Sequence, residues 1–160
     1  MKGQAIGQRL IRPDAVDKVT GKARFPGDLV MEGMLFVKVL FSERAHARIV
    51  SIDTSEAEQV PGVVAILTHE HVPVNEYGLI YKDQPALNST KVRSVFDRVA
   101  LVIAETHRAA LRAHGLIRVV YEDLPAVTDP RQAMQPGAPV VHERWPDNVQ
   151  SHQRIRRGNV

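Results

Sequence analysis

Hydrophobic positions are densest between residues 99 and 125. Val99-Ala-Leu-Val-Ile-Ala104 contains no polar residue, which predicts a strand covered on both faces. Glu105-Thr106 then offers a side-chain cap. Beyond it, Ala109, Ala110, Ala113, Leu116 and Ile117 fall on one side of a helix, with Arg108 and Arg112 on the other. The small alanines predict close approach of that helix to a sheet. His114-Gly115 is a helix-ending signal, because Gly accepts the left-handed conformation that a C-terminal cap often needs. Ile117, Val119 and Tyr121 resume strand alternation. The predicted centre is strand, helix, strand.

The flanks carry weaker patterns. Leu35, Val37, Val39 and Phe41 alternate through residues 34–41 and predict a strand, and the loop Ser42-Glu-Arg-Ala-His-Ala-Arg-Ile-Val50 leads out of it. Asp53-Thr-Ser-Glu-Ala-Glu58 reads as a short helix start that Pro61-Gly62 ends. Val63-Val-Ala-Ile-Leu67 is a second buried strand. Residues 73–88, with Pro, Gly and Asn, form a loop, and Asp129 before Pro130 caps a short helix within 127–134. Residues 8–28 read as an irregular arm, and Gln153-Arg-Ile-Arg-Arg-Gly-Asn159 as a basic tail.

With 160 residues and 44% apolar composition, a single domain with a genuine core is the default. Only 5% of residues are aromatic, which leaves little ring surface for stacking bases and argues against a single-strand nucleic-acid binder. The net charge of +3 is weak evidence for a polyanionic partner. The absence of Cys excludes disulfides and thiolate ligation of an iron–sulfur cluster by this chain. No apolar run approaches the ~20 residues of a membrane span, and Met1-Lys-Gly-Gln4 does not lead into a signal-peptide core. A soluble, cytoplasmic chain is expected.

Candidate chemistry is sparse. Gly21-Lys22 lacks the Gly and Ser/Thr of a phosphate loop, since Val16 and Ala23 stand at those positions. His69-Glu70-His71 would place two imidazoles on one face of a strand, but without a third ligand at useful spacing a solvated turn is the stronger reading. His46 lacks a nucleophile or carboxylate nearby in sequence, and His142 belongs to a terminal structural run. No residue is assigned a catalytic, cofactor-binding or metal-binding role. His46, Arg48, Arg12 and Asp14 are read as loop-fixing or interdomain residues.

Several short stretches in register carry a family resemblance. They are Arg12-Pro-Asp14, Lys18-Val-Thr-Gly-Lys-Ala23, Gly27-Asp28, Ala45-His-Ala-Arg-Ile49, Asp53-Thr-Ser-Glu-Ala57, Pro61-Gly-Val63, Leu67-Thr68, Asp83-Gln-Pro-Ala-Leu87, Arg98-Val-Ala-Leu-Val-Ile-Ala-Glu-Thr106 and Val119-Val-Tyr-Glu-Asp-Leu-Pro125. Together they resemble the hammerhead domain of the xanthine dehydrogenase and aldehyde oxidase family of molybdenum hydroxylases. The resemblance implies an α+β hammerhead, a mixed sheet with a few packed helices, like the N-terminal domain of the CO dehydrogenase molybdoprotein. It implies residues 1–28 as an arm, 29–150 as the hammerhead domain and 151–160 as a linker to a molybdenum-binding domain. Glu43 replaces the family's usual Pro, and Phe96 and Arg98 stand where the family has Gly and Pro. Phe does not take a positive-φ turn cheaply, so either that turn is rebuilt or the Gly was not conformationally essential.

In such a family a molybdenum–pterin centre hydroxylates an aldehyde or heteroaromatic carbon with oxygen from water, assisted by a glutamate base, and electrons leave through iron–sulfur clusters. Those motifs lie downstream of this domain. The implied role is therefore an N-terminal packing and contact domain of a large subunit, inactive alone, with no cofactor of its own. Molybdopterin-bound molybdenum belongs to the parent, and 2Fe–2S clusters and an optional FAD to partner subunits or domains. With the arm beginning just after Met1, the iron–sulfur part is expected on a separate polypeptide. Neither nucleic acid nor a membrane is an expected partner. The alternative is a free-standing non-catalytic interaction module of the same fold; polyanion binding through the tail is a third reading.

Overall fold

The computed structural model describes Gly7 and Arg9–Gly158. The expectations for Met1 to Gln4, Gln8 and Asn159 lie outside the described residues. The chain divides into two compact units, Met1–Met34 and Leu35–Val160. The described residues of the first carry a short helix α1 (Ala15–Val19), where the sequence pattern predicts no helix, and a 3-10 turn at Pro26–Asp28. Gly21 and Lys22 follow α1 rather than preceding a helix, so no phosphate-loop geometry forms there.

The second unit runs β1 (Phe36–Phe41), β2 (Ala47–Asp53), α2 (Ser55–Glu58), β3 (Val63–Leu67), β4 (Glu76–Tyr77), β5 (Gln84–Pro85), β6 (Lys91–Val92), β7 (Arg98–Ala104), α3 (His107–His114), β8 (Arg118–Asp123) and α4 (Pro130–Ala133). Two three-stranded sheets form, ordered β1-β7-β3 and β6-β2-β8, beside the small β4-β5 pair. Every described pairing is antiparallel. The strand–helix–strand centre thus bridges sheets: β7 is the middle strand of one, and α3 hands the chain to β8 at the edge of the other.

The apolar run of β7 is explained by two cores. Val102 and Ala104 enter a cluster with Ala57, Val60, Ile66, Ala109, Ala110 and Ala113 under α3. Val99 enters the second cluster with Ala47 and Val92. A strand with a core on each side has no position left for a solvated side chain. Helix α3 buries Ala109, Ala110 and Ala113, while Arg108 and Arg112 are exposed. Its cap is Thr106, whose hydroxyl accepts from the Ala109 amide at 3.1 Å. Leu116 and Ile117, past the helix end, pack against the same cluster.

The structure departs from the sequence reading at identifiable places. Gly115 stays right-handed at φ −72°, because the helix closes through amide bonds from Gly115 to Leu111 and from Leu116 to Ala113. Glycines with positive φ lie elsewhere, among them Gly62, at φ +86° before β3, where an added Cβ would lie 3.4 Å from that of Ala109. Strand β2 forms where the pattern predicts a loop followed by the start of a helix; it pairs with β8 across a register shift between Ile49 and Ser51. Phe96 has no positive φ; its amide donates to Ser94 Oγ at 3.2 Å, within a turn that Asp97 closes onto the Ser94 carbonyl. The turn forms here without a glycine and without a positive φ at Phe96.

Candidate functional site

Two polar arrangements organise the part of the second unit where β6, the exit of β8 and the C-terminal run meet. The first is a cation pair around one carboxylate. Lys91 Nζ and an Arg93 guanidinium nitrogen each reach Glu143, at 2.9 Å and 2.9 Å, on its two oxygens. Lys91 also donates to the Val140 carbonyl at 3.3 Å, and Arg93 Nε to that of Val141 at 2.9 Å. The Lys91 hydrogen bond, with Arg93 adding to it, holds the Glu143 carboxyl down to about 2 from an ordinary 4.5. Asn148, the only described non-glycine residue with positive φ, at 58°, completes the clamp. Its side chain donates to the carbonyls of Ala133 and Pro139 at 2.9 and 3.0 Å and accepts from the Val141 amide at 2.9 Å. Asn tolerates this conformation better than most residues, and three bonds hold it there.

The second arrangement centres on His46. The turn before it is tied by the Ser42 amide to the Asp97 carbonyl at 2.7 Å, and by Ser42 Oγ to the Arg44 backbone at 3.0 and 3.1 Å. The Leu124 amide donates to the His46 carbonyl at 2.9 Å, and His46 Nδ1 stands 2.7 Å from the Pro125 carbonyl. A carbonyl oxygen only accepts, so Nδ1 carries a proton and donates to it. The ring's Nε2 is buried and has no partner among the described residues, in a residue only 6% exposed. Other parts of the loop around His46, with Arg93, Ser94, Val95, Thr128 and Val141, border a recess of about 230 Å³. A wider concavity of about 480 Å³ lies between Asp83, Arg93, Asp129, His142 and Trp145.

Other sequence candidates are placed differently. Arg48 sits opposite Glu122 in the β2–β8 register and pairs with it at 3.5 Å, both side chains well exposed. In the first unit, Arg12 forks onto both oxygens of Asp14 at 3.0 and 2.9 Å, and Lys18 joins at 2.6 Å. The Arg12 and Lys18 bonds lower the Asp14 carboxyl below its usual range. His46 and Arg48 share no partner. His69 and His71 lie on a 3-10 turn rather than a strand, and His71 Nδ1 accepts from the Thr68 amide at 3.1 Å. The His142 ring meets that of Trp145 at a 55° tilt with centroids 4.6 Å apart, and its Nδ1 accepts from the Arg144 amide. Sequence reasoning does not find Lys91, Arg93, Glu143 and Asn148 as a group; Glu143 stands about fifty residues from its two cations, with no local spacing to flag it.

Among the described residues, no three His, Cys, Asp or Glu side chains converge as a metal site would need, and the chain has no Cys. Without a thiolate, the chain's own side chains do not ligate an iron–sulfur cluster.

The family model described as "Aldehyde oxidase and xanthine dehydrogenase, a/b hammerhead domain" matches residues 20–125. The chain belongs to this hammerhead family. The hammerhead chain is 44% identical over 134 residues to a probable xanthine dehydrogenase component of Bacillus subtilis, covering 83% of this chain and 18% of that protein. It is 34% identical to the nicotinate dehydrogenase large molybdopterin subunit of Eubacterium barkeri, covering 98% of this chain and 37% of that protein. The reconstituted CO dehydrogenase structure from Oligotropha carboxidovorans superimposes with a TM-score of 0.73 and 37% identity, over 83% of this chain and 17% of that one. The α+β hammerhead expected from the sequence is the observed fold. The chain spans well under half the length of these relatives.

Proposed function

We propose that this chain is the N-terminal hammerhead portion of a molybdenum hydroxylase large subunit, supplying packing and subunit contacts rather than catalytic groups. The observation that carries the reading is the family match over residues 20–125, joined to a site whose charged side chains are held in internal ties. Lys91, Arg93 and Glu143 anchor the C-terminal run, and His46 anchors the exit of β8. Residues 1–28 serve as the arm, 29–150 as the hammerhead and 151–160 as the linker to a molybdenum-binding domain. The parent is a cytoplasmic oxidoreductase acting on an aldehyde or heteroaromatic substrate. Molybdopterin, 2Fe–2S clusters and FAD reside in its other domains or subunits, and the fragment alone is inactive.

Metal analysis of the native complex, purified through a tag on this chain, tests the reading. Molybdenum together with iron in the co-purifying material is the expected result. Neither metal, with the 160-residue chain as the whole native product, would overturn it in favour of a free-standing interaction module.

A further inference from the structure

We propose that residues 126–150 form a strap that opens and closes on the hammerhead as one piece, hinged just after Pro125 and latched where Lys91 and Arg93 hold Glu143, while both sheets stay folded. Such a motion goes beyond the packing role and belongs to this chain's own C-terminal run.

The run is attached at few points. The last ties to the strands come just before it, from the Leu124 amide to the His46 carbonyl and from His46 Nδ1 to the Pro125 carbonyl. From 126 to 150, every described backbone-to-backbone hydrogen bond stays inside the run. Side chains hold it to the rest: Lys91 on Val140 and Glu143, Arg93 on Val141 and Glu143, and Gln150 Nε2 on Asp83 at 3.0 Å. Trp145 adds an edge-on contact with Tyr81, ring centroids 5.5 Å apart. No residue of the run is buried, and neither core cluster includes one. Opening therefore uncovers little apolar surface and leaves the cores around β7 and α3 intact, which sets its free energy below that of global unfolding.

Internal ties make the run move as a unit. Asn148 bonds to Ala133, Pro139 and Val141, so the stretch from 133 to 148 closes on itself through one side chain. Its end is tightened by the Trp145 amide on the His142 carbonyl and the Asn148 amide on the Trp145 carbonyl, each at 2.9 Å. These bonds survive when the strap lifts. The bonds from Lys91 and Arg93 break, and the two cations then face solvent in place of Glu143. A carboxylate between two cations is the attachment on which added salt acts most directly.

Native-state hydrogen exchange of the 160-residue chain, at a pH where exchange follows the opening equilibrium, tests the strap. Protection of the Gln135, Ala138, Val141, Trp145 and Asn148 amides should be alike and at least about a hundredfold below that of the β7 amides. Glu143→Gln should lower strap protection about fivefold, the scale of one exposed charge pair. Thr106→Ala, which weakens the α3 cap, should lower β7 protection by a similar factor of about five and leave the strap unchanged, since the open and closed strap share the same α3. Raising NaCl to about 1 M should lower strap protection in the wild type and not in Glu143→Gln. Strap amides protected as strongly as those of β7, or falling with them in Thr106→Ala, mean that the run melts only with the sheets and overturn the inference. Strap protection that ignores Glu143→Gln, or that answers salt equally with and without the carboxylate, removes the latch and overturns it too.

Discussion

Glu143 is the residue where charge most directly supports the fold. Its carboxyl sits between Lys91 and Arg93 and is depressed from 4.5 to about 2. A depressed carboxyl stabilises the fold above its unfolded value and loses that contribution as pH falls through the folded one. The loss therefore falls between about pH 4.5 and pH 2. The Glu143 side chain is 66% exposed, so solvent screening holds the contribution to about 1 kcal/mol. Glu143→Gln should lower stability by that amount at pH 7 and flatten the urea midpoint across this window; an unchanged acid profile would refute the clamp. His114 acts in the same direction at higher pH. Burial, helped by Lys38, lowers its imidazole from 6.5, so the folded state resists protonation and stability should begin to fall as pH drops below 6.5.

At the scale of elements, α3 depends on a cap and on small side chains. Thr106 accepts from the Ala109 amide, and Thr106→Ala should cost about 1 kcal/mol, read from the denaturant midpoint. Ala113 is fully buried between α3 and the first sheet, so Ala113→Leu must displace its neighbours and should cost about 1–3 kcal/mol. Leucine at exposed Arg112, one position away, should leave the midpoint within about 0.5 kcal/mol, which separates overpacking from any general effect of leucine. Strand β2 explains why one element was hard to read. Ala47 and Ile49 alternate towards the second core, but the register shift before Ser51 moves the next inward position to Ile52. A bulge changes the phase of a period-2 pattern, and a pattern that changes phase after three residues does not register as a strand.

For the whole molecule, the second unit exposes large apolar side chains on several elements, including Val37, Val64, Phe96 and Val120. A chain that works as part of a larger subunit leaves such surface uncovered when separated, and the 160-residue chain should self-associate with rising concentration in sedimentation experiments. A strictly monomeric chain at high concentration would count against a covered surface in the parent. The sequence by itself determined the elements whose pattern is continuous. The unbroken run of β7, the alanine face of α3, the apolar run of β3 and the Thr106 and Asp129 caps are local signals, because burial on both faces, helical periodicity and capping each act within a few residues. Only the tertiary structure decided that β7 and β8 join different sheets, that Glu143 meets Lys91 and Arg93, and that His46 faces Pro125. The groups that meet in these last two contacts are separated by 50 to 79 positions along the chain. Contacts over such distances follow from how the two sheets and the C-terminal run pack, which no local spacing of residues encodes.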